Sequence, residues 1–339
     1  MKKLFFILPN LFLFALTAKG QDVHLSQFYY SPLTLDPALT GDIRGNMRAV
    51  LNQRNQWGSV ASPFTTSSIS TDFRLFQDRF KGDALGAGFL LVSDKTAGGG
   101  MSSMQLMLST AYHLNFGYHR EHTLSLGLQS GLFQKRADYS SMTFGNQFSG
   151  EEFNTGIDSH ENTVNPAFTR LDIRTGVHYH YEQPKGPSMN AGLAFFHINK
   201  PEASLLNGIY NLPWRSVFHW DARLSAGPGM ALYPHILYMS QTQAREVLVG
   251  VIWERALRNE RNLNINFSAG GSYRVGDALI FVTGMEYEKW KVNIGYDINL
   301  SGFHPASNYQ GGLELSILYT SKLLPGKNRL PILQPCLRL

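Results

Sequence analysis

Residues 290–300 read WKVNIGYDINL: Trp290, Val292, Ile294, Tyr296, Ile298 and Leu300 alternate with Lys291, Asn293, Gly295, Asp297 and Asn299. Successive side chains of a strand point to opposite faces, so the stretch has one apolar face and one polar or tightly packed face. A single strand of this kind serves a soluble core as well as a membrane wall. Its recurrence, at similar length along nearly the whole chain, separates the two.

Composition points the same way. Of 339 residues, 43% are hydrophobic and 12% aromatic but only 16% charged, against about 25% in an ordinary soluble domain. After the amino-terminal segment no apolar run approaches the roughly 18 residues of a membrane-spanning helix, which excludes a helical membrane protein. Glycine-rich, charge-poor sequence with period-two alternation suits a transmembrane β-barrel, because lipid requires every backbone polar group to be paired within a closed sheet. The net charge of +5 is spread without a long basic run and gives no support for a nucleic-acid partner.

At the amino terminus, Lys2 and Lys3 precede the apolar run Leu4 to Leu16, and Ala18 and Gly20 supply small residues for cleavage before Gln21. This is the pattern of an export signal. Residues 1–20 are therefore set apart as a signal peptide, and no Cys follows the run to carry a lipid anchor. The single cysteine, Cys336, leaves no internal disulfide framework. The next segment, Gln21 to Gly41 (QDVHLSQFYYSPLTLDPALTG), is interrupted by Pro32 and Pro37, while Phe28, Tyr29 and Tyr30 need cover. We read residues 21–43 as an extended periplasmic or lumen-associated segment.

Candidate strands begin at Arg44, Phe64, Ala84, Ser102, His122, Phe168, Pro187, Trp214, Gly229, Arg245, Asn262, Ala278, Trp290 and Tyr309. The expectation is an all-β, antiparallel barrel of about fourteen strands over residues 44–320, with a short periplasmic tail, 321–339. An even count returns both barrel ends to the periplasm. Starting from there, the connections near Gln77 to Asp83, Gly117 to Glu121, Gln183 to Gly186, Gly227 to Pro228 and Glu288 to Lys289 are periplasmic and short. Asp138 to Ala167 and Asn199 to Pro213 fall outside and are long, as barrels require. The register of Met230 to Met239 stays open, because it is apolar on both faces and carries Pro234.

Polar constellations follow the same alternation. Asp72 with Arg74, Asp172 with Arg174, and Asp221 with Arg223 lie opposite apolar faces, and a charge at the lipid midplane costs ~2–4 kcal/mol. These residues are assigned to the lumen, where they form a charge-paired lining or grip a peptide. His178 and His180 share a face, but no nearby Cys or carboxylate spacing completes a metal site, so they too are read as lumen-lining. Asp158, His160 and Glu161 belong to a solvated loop. Gly86 and Gly88 lie within a strand, without the helix a phosphate cradle needs, and suit a crowded lumen. No nucleophile elbow or comparable local motif marks an enzyme, and no cofactor is implied.

Several stretches resemble one family, the PorP/SprF proteins of the Bacteroidetes type IX secretion system. These are the segment Gln21 to Gly41, NQRNQWGS at Asn52 to Ser59, VSDKTAGG at Val92 to Gly99, FHINKP at Phe196 to Pro201, GGLELSILY at Gly311 to Tyr319, and the ending PCLRL at Pro335 to Leu339. Leu337 stands where the family often has a second proline. The resemblance implies an outer-membrane location and a role in secretion and gliding. It also implies export or surface anchoring of a large adhesin through its C-terminal domain, and a link to a periplasmic OmpA-like peptidoglycan-binding lipoprotein. Outer-membrane lipid would surround the barrel. The candidate adhesin-contacting residues are Phe144, Phe148, Glu151, Glu152 and Asp158 in the first long loop and Trp214 at the end of the second. A passive or substrate-specific pore is the alternative.

Overall fold

The computed structural model describes residues 22–59, 63–80, 83–96, 100–138, 144–150, 152–154, 156–158, 167–183, 186–205, 210–260, 263–302 and 304–321. Among them, fourteen strands close into one antiparallel barrel. In chain order these are β1 (Met47–Gln56), β2 (Phe64–Phe80), β3 (Asp83–Lys95), β4 (Met101–Phe116), β5 (His122–Ala137), β6 (Ala167–Glu182) and β7 (Ser188–Phe196). The second half comprises β8 (Arg215–Gly227), β9 (Met230–Gln241), β10 (Ala244–Glu260), β11 (Leu263–Arg274), β12 (Ala278–Tyr287), β13 (Trp290–Asn299) and β14 (Gln310–Thr320). Each strand pairs with its sequence neighbours, and β1 pairs with β14 from Arg48 opposite Thr320 to Gln56 opposite Gly312. Closure leaves no edge unpaired, the condition for a sheet in lipid. No described helix is long and apolar enough to cross a membrane.

The expected strand count is met, and every start but the first falls within one residue of the sequence reading. β1 starts at Met47 rather than Arg44, because Arg44 turns away to meet Glu182 at 2.6 Å. The decisive stretch behaves as its alternation dictates. Asn293, Gly295, Asp297 and Asn299 are buried, while Trp290, Ile294 and Tyr296 are 40–52% exposed on the outer wall. Leu108, Leu126 and Phe281 belong to the same outer apolar surface. Such large exposed side chains would be a liability in water and are the required coat in hydrocarbon.

The open register of β9 is settled by its neighbours. Pro234 sits opposite Val251 of β10, and the inward positions are Tyr233, His235 and Leu237. On the other side, the ladder with β8 passes from Asp221–His235 to Leu224–Leu232 without registered pairs between. A proline, lacking its N–H, accounts for that gap.

Candidate functional site

The lumen is the candidate site, and residues 22–43 fill it. The segment has little regular structure: 3₁₀ turns at Phe28–Tyr30 and Pro37–Leu39 flank one helical turn, Pro32–Leu35. Pro32 and Pro37 start their turns, where a missing N–H leaves no bond unmade. Asp36 caps the last turn by accepting from the Ala38 N–H at 2.7 Å.

Apolar cover comes from the wall. Phe28, Tyr29, Tyr30 and Leu35 pack with inward residues of β8 to β10, among them Val217, Tyr233, Leu237, Leu248 and Ile252. Leu33 packs with Leu90, Val92 and Met107 on the opposite side. Such burial contributes roughly 1.5–3 kcal/mol per large side chain relative to exposure to water.

Polar contacts hold the segment at several heights. Near one end of the lumen, Arg54 lies 2.9 Å from Asp297 and 3.0 Å from Glu314. Arg274 lies 3.3 Å from both Asp297 and Glu246. Ser26 is set among them: its N–H donates to Glu314 at 2.9 Å, its hydroxyl donates to Asp297 at 2.7 Å, and both arginines donate to its oxygen. The Gln27 N–H donates to the other Glu314 oxygen at 2.8 Å. With Asp277 2.9 Å from Arg274, the two guanidinium groups face four carboxylates, and backbone N–H donors help offset the excess negative charge. Buried charges are tolerated only with such pairing.

Further along, Asp36 meets His219 at 3.0 Å, the Thr40 carbonyl meets the His113 ring at 2.8 Å, and the Gln129 amide donates to the Leu33 carbonyl at 3.2 Å. At the start of the segment, Asp22 lies 2.5 Å from His197, which also meets Asp172 at 2.8 Å. Burial acts to raise the Asp22 carboxyl, but His197, Arg215 and Arg174 outweigh it and hold the group well below the ordinary carboxylate range. For His197, burial disfavours the cation, and Asp22 and Asp172 more than reverse this, raising its pKa above the ordinary value.

The wall gives way where the segment passes closest. A Cβ on Gly127 would overlap the Pro37–Ala38 backbone, one on Gly86 the Thr40 carbonyl, and one on Gly176 the Asp36 carboxylate. These inward positions on β5, β3 and β6 admit only glycine while the segment stays in place. Two cavities of about 40 Å³ remain beside the segment, one lined by Asp22, Leu35 and Arg174, the other by Tyr29, Arg48 and His178. Each holds a few waters at most.

The residues singled out in the sequence fall into two groups. Asp72, Arg74, Asp172, Arg174, His178, His180, Asp221 and Arg223 all occupy inward positions of their strands. Their partners differ from the sequence couples. Only Asp172 and Arg174 pair with each other, at 2.8 Å. Asp72 pairs with Arg48, Arg74 donates to the Ile43 carbonyl at 3.4 Å, and Asp221 accepts from Asn190 at 2.7 Å. His178 stacks on His219, with ring centroids 5.7 Å apart, whereas His180 bonds to Asn190. No group of three His, Cys, Asp or Glu residues is arranged for a metal among the described residues.

The second group lies on the loops. Phe148 and Phe153 face each other across a bridge, with centroids 5.2 Å apart, and both are about half exposed. The Phe144 N–H donates to Gln147 at 3.0 Å, and Glu152 and Asp158 are exposed. Trp214 donates to the Ile198 carbonyl at 3.2 Å, with Lys200 5.0 Å from its ring. Glu151, His160 and Glu161 lie outside the described residues. Sequence reasoning did not single out Arg48, Arg54, Arg274 and Glu314 in the lumen; their inward parity on charged strand positions was the available signal.

A family model described as "Type IX secretion system membrane protein PorP/SprF" matches residues 17–319. No curated protein matches the chain. Among solved structures, the Pseudomonas putida toluene transporter TodX is similar, with a TM-score of 0.51 at 8% identity, covering 86% of this chain and 93% of that one. A Pseudomonas aeruginosa FadL homologue has a TM-score of 0.44 at 8% identity, covering 84% and 92%. At such identity the TodX likeness speaks for the barrel fold alone.

Proposed function

The chain belongs to the PorP/SprF family of type IX secretion system membrane proteins, and from that premise we propose that it is a non-enzymatic anchoring platform in the outer membrane. Its extracellular loops, chiefly 138–166 and 197–214, hold the C-terminal domain of a large surface adhesin. Its periplasmic turns engage a peptidoglycan-binding lipoprotein of the OmpA-like kind. Such a bridge transmits force through binding and needs no cofactor. The observation that carries this reading is the filled lumen: residues 25–33 and 35–38 are buried among wall side chains, so the barrel offers surfaces rather than a passage.

The test is gentle detergent extraction of the tagged protein from its own outer membrane, followed by mass spectrometry, with the intact chain and a variant lacking residues 139–166. Joint recovery of a large surface protein and a lipoprotein supports the platform, with the surface protein lost from the variant. Retention of every surface partner by the variant removes that loop from the interface. Single-channel recording tests the pore alternative: a closed barrel is expected, and steady open channels from the unmodified barrel would restore that reading.

A further inference from the structure

We infer that residues 22–43 run outward through the barrel, so that the amino-terminal end of the mature chain emerges at the extracellular mouth. The inference rests on the barrel and its filled lumen, and holds whether or not the partner assignment above is right.

The ends of the barrel are distinguished by connection length. β1, β7, β9, β11 and β13 finish at the end that carries the long loops 138–166 and 197–214; the turns at 117–121, 228–229 and 288–289 mark the other. Long connections are extracellular and short ones periplasmic. Asp22 belongs to the long-loop end. Its N–H donates at 3.0 Å to Gln241, the last residue of β9. Its carboxylate meets His197, the residue after β7, and lies 3.8 Å from Arg215, the first of β8. Nearby, His24 meets Glu246, close to the start of β10, at 3.2 Å.

From that mouth the segment descends. Ser26 and Gln27 engage Glu314 of β14. Tyr30 reaches Lys291 near the opposite end of β13, with the ammonium 5.3 Å from the ring. The chain then returns to mid-wall, where Asp36 meets His219, and descends again through Thr40 at His113 and Gly41, whose N–H donates to Asp72 at 2.7 Å. It leaves at the short-turn end, where Arg44 pairs with Glu182, the last residue of β6, and the Asn46 N–H donates to Ser321. Fully extended, residues 22–43 would reach roughly 75 Å, three times the ~25 Å apolar band. That length leaves room for the turns.

An even strand count places both ends of the barrel wall in the periplasm, but the lumen segment carries the amino terminus back across. The first and last described residues, Asp22 and Ser321, therefore lie on opposite sides of the membrane. Asp22 itself opens on the extracellular side and not on the periplasmic one.

The experiment inserts a short epitope immediately before Asp22 and counts antibody bound to intact cells. Control epitopes follow Asp158, in a long loop, and Tyr118, in a short turn. Labelling comparable to the Asp158 control, and at least about tenfold above the Tyr118 control, is expected. Labelling that appears only after the outer membrane is permeabilised overturns the inference. Should the insertion abolish the heat-modifiable barrel, Val23→Cys and Asn46→Cys in a Cys336→Ser background replace it, probed with a membrane-impermeant maleimide. Val23→Cys then reacts on intact cells and Asn46→Cys only after permeabilisation; the reverse pattern overturns the inference.

Discussion

Arg48 and Asp72, directly opposite each other on β1 and β2, form a two-pronged ion pair: Nε donates to Oδ1 at 2.9 Å and Nη2 to Oδ2 at 2.7 Å. Both residues are essentially buried. The pair also grips the lumen segment, because Asp72 accepts from the Gly41 N–H and Arg48 donates to the Leu39 carbonyl at 3.0 Å. Removing one member leaves a buried charge without its partner, at a cost of about 3–5 kcal/mol. Asp72→Ala should therefore lower the thermal midpoint of the heat-modifiable barrel markedly. Restoring most of that loss in Asp72→Ala with Arg48→Met would identify the orphaned cation as the cause; no recovery would show that the grip on residues 39–41 matters more.

The glycine contacts predict a selective loosening. Gly127→Ala and Gly176→Ala push a Cβ into residues 36–38 and should cost ~1–3 kcal/mol by overpacking. Gly271, on the outer face, has nothing closer than the Ile280 carbonyl at 3.7 Å from such a Cβ, so Gly271→Ala should stay within about 0.5 kcal/mol. Hydrogen exchange read by mass spectrometry should show amides 36–41 exchanging at least about tenfold faster in the first two variants and unchanged in the third. Uniformly faster exchange over the whole barrel would contradict the local assignment.

Acidity should tune the extracellular latch between Asp22 and His197. Asp22 is depressed from its ordinary 3.8, so its contribution is complete above that value and is lost as pH falls through its lower folded value. His197 is raised from its ordinary 6.5, so its contribution is complete below 6.5 and is lost as pH rises through the higher folded value. Both are in full force between about 4 and 6.5. Exchange of the 22–26 amides, corrected for the intrinsic pH dependence, should be slowest there and quicken on the alkaline side. His197→Gln should abolish the alkaline limb; an unchanged limb would place the titrating group elsewhere.

The barrel wall was legible because lipid and lumen impose a period of two that Trp290 to Leu300 states outright, and because the two longest connections fall at the same end. The partners of the lining were not. Proximity along the chain suggests Arg74 as the partner of Asp72, yet side chains two apart on a strand stand side by side, and the partner comes from the neighbouring strand, at Arg48. Phe28, Tyr29 and Tyr30 showed that the amino-terminal segment needs cover. Its place within the lumen depends on Asp297, Glu314 and Gly127, which lie far away in sequence and come near only on closure. Inward small residues are a further local trace of it: Gly86 and Gly88 suit a crowded lumen and meet Thr40 and Leu33, while Gly127 and Gly176 make the same allowance without standing out in the sequence.

Arg54 and Glu314 face each other across the β1–β14 ladder, and Ser26 touches both. Ser26 is synthesised early, and its Glu314 partner lies 288 residues later. The seam joins the first strand to the last, so it can zip only after all the intervening strands exist, and the entropic cost of bringing such distant ends together must be met at that step. Because Ser26 and Gln27 offer Glu314 its backbone donors, the finished seam includes contacts between an early-made segment and the last strand. A truncated or stalled chain lacking β14 leaves Ser26 and Gln27 without that acceptor, so completion of the carboxyl-terminal strand is registered at the opposite end of the polypeptide.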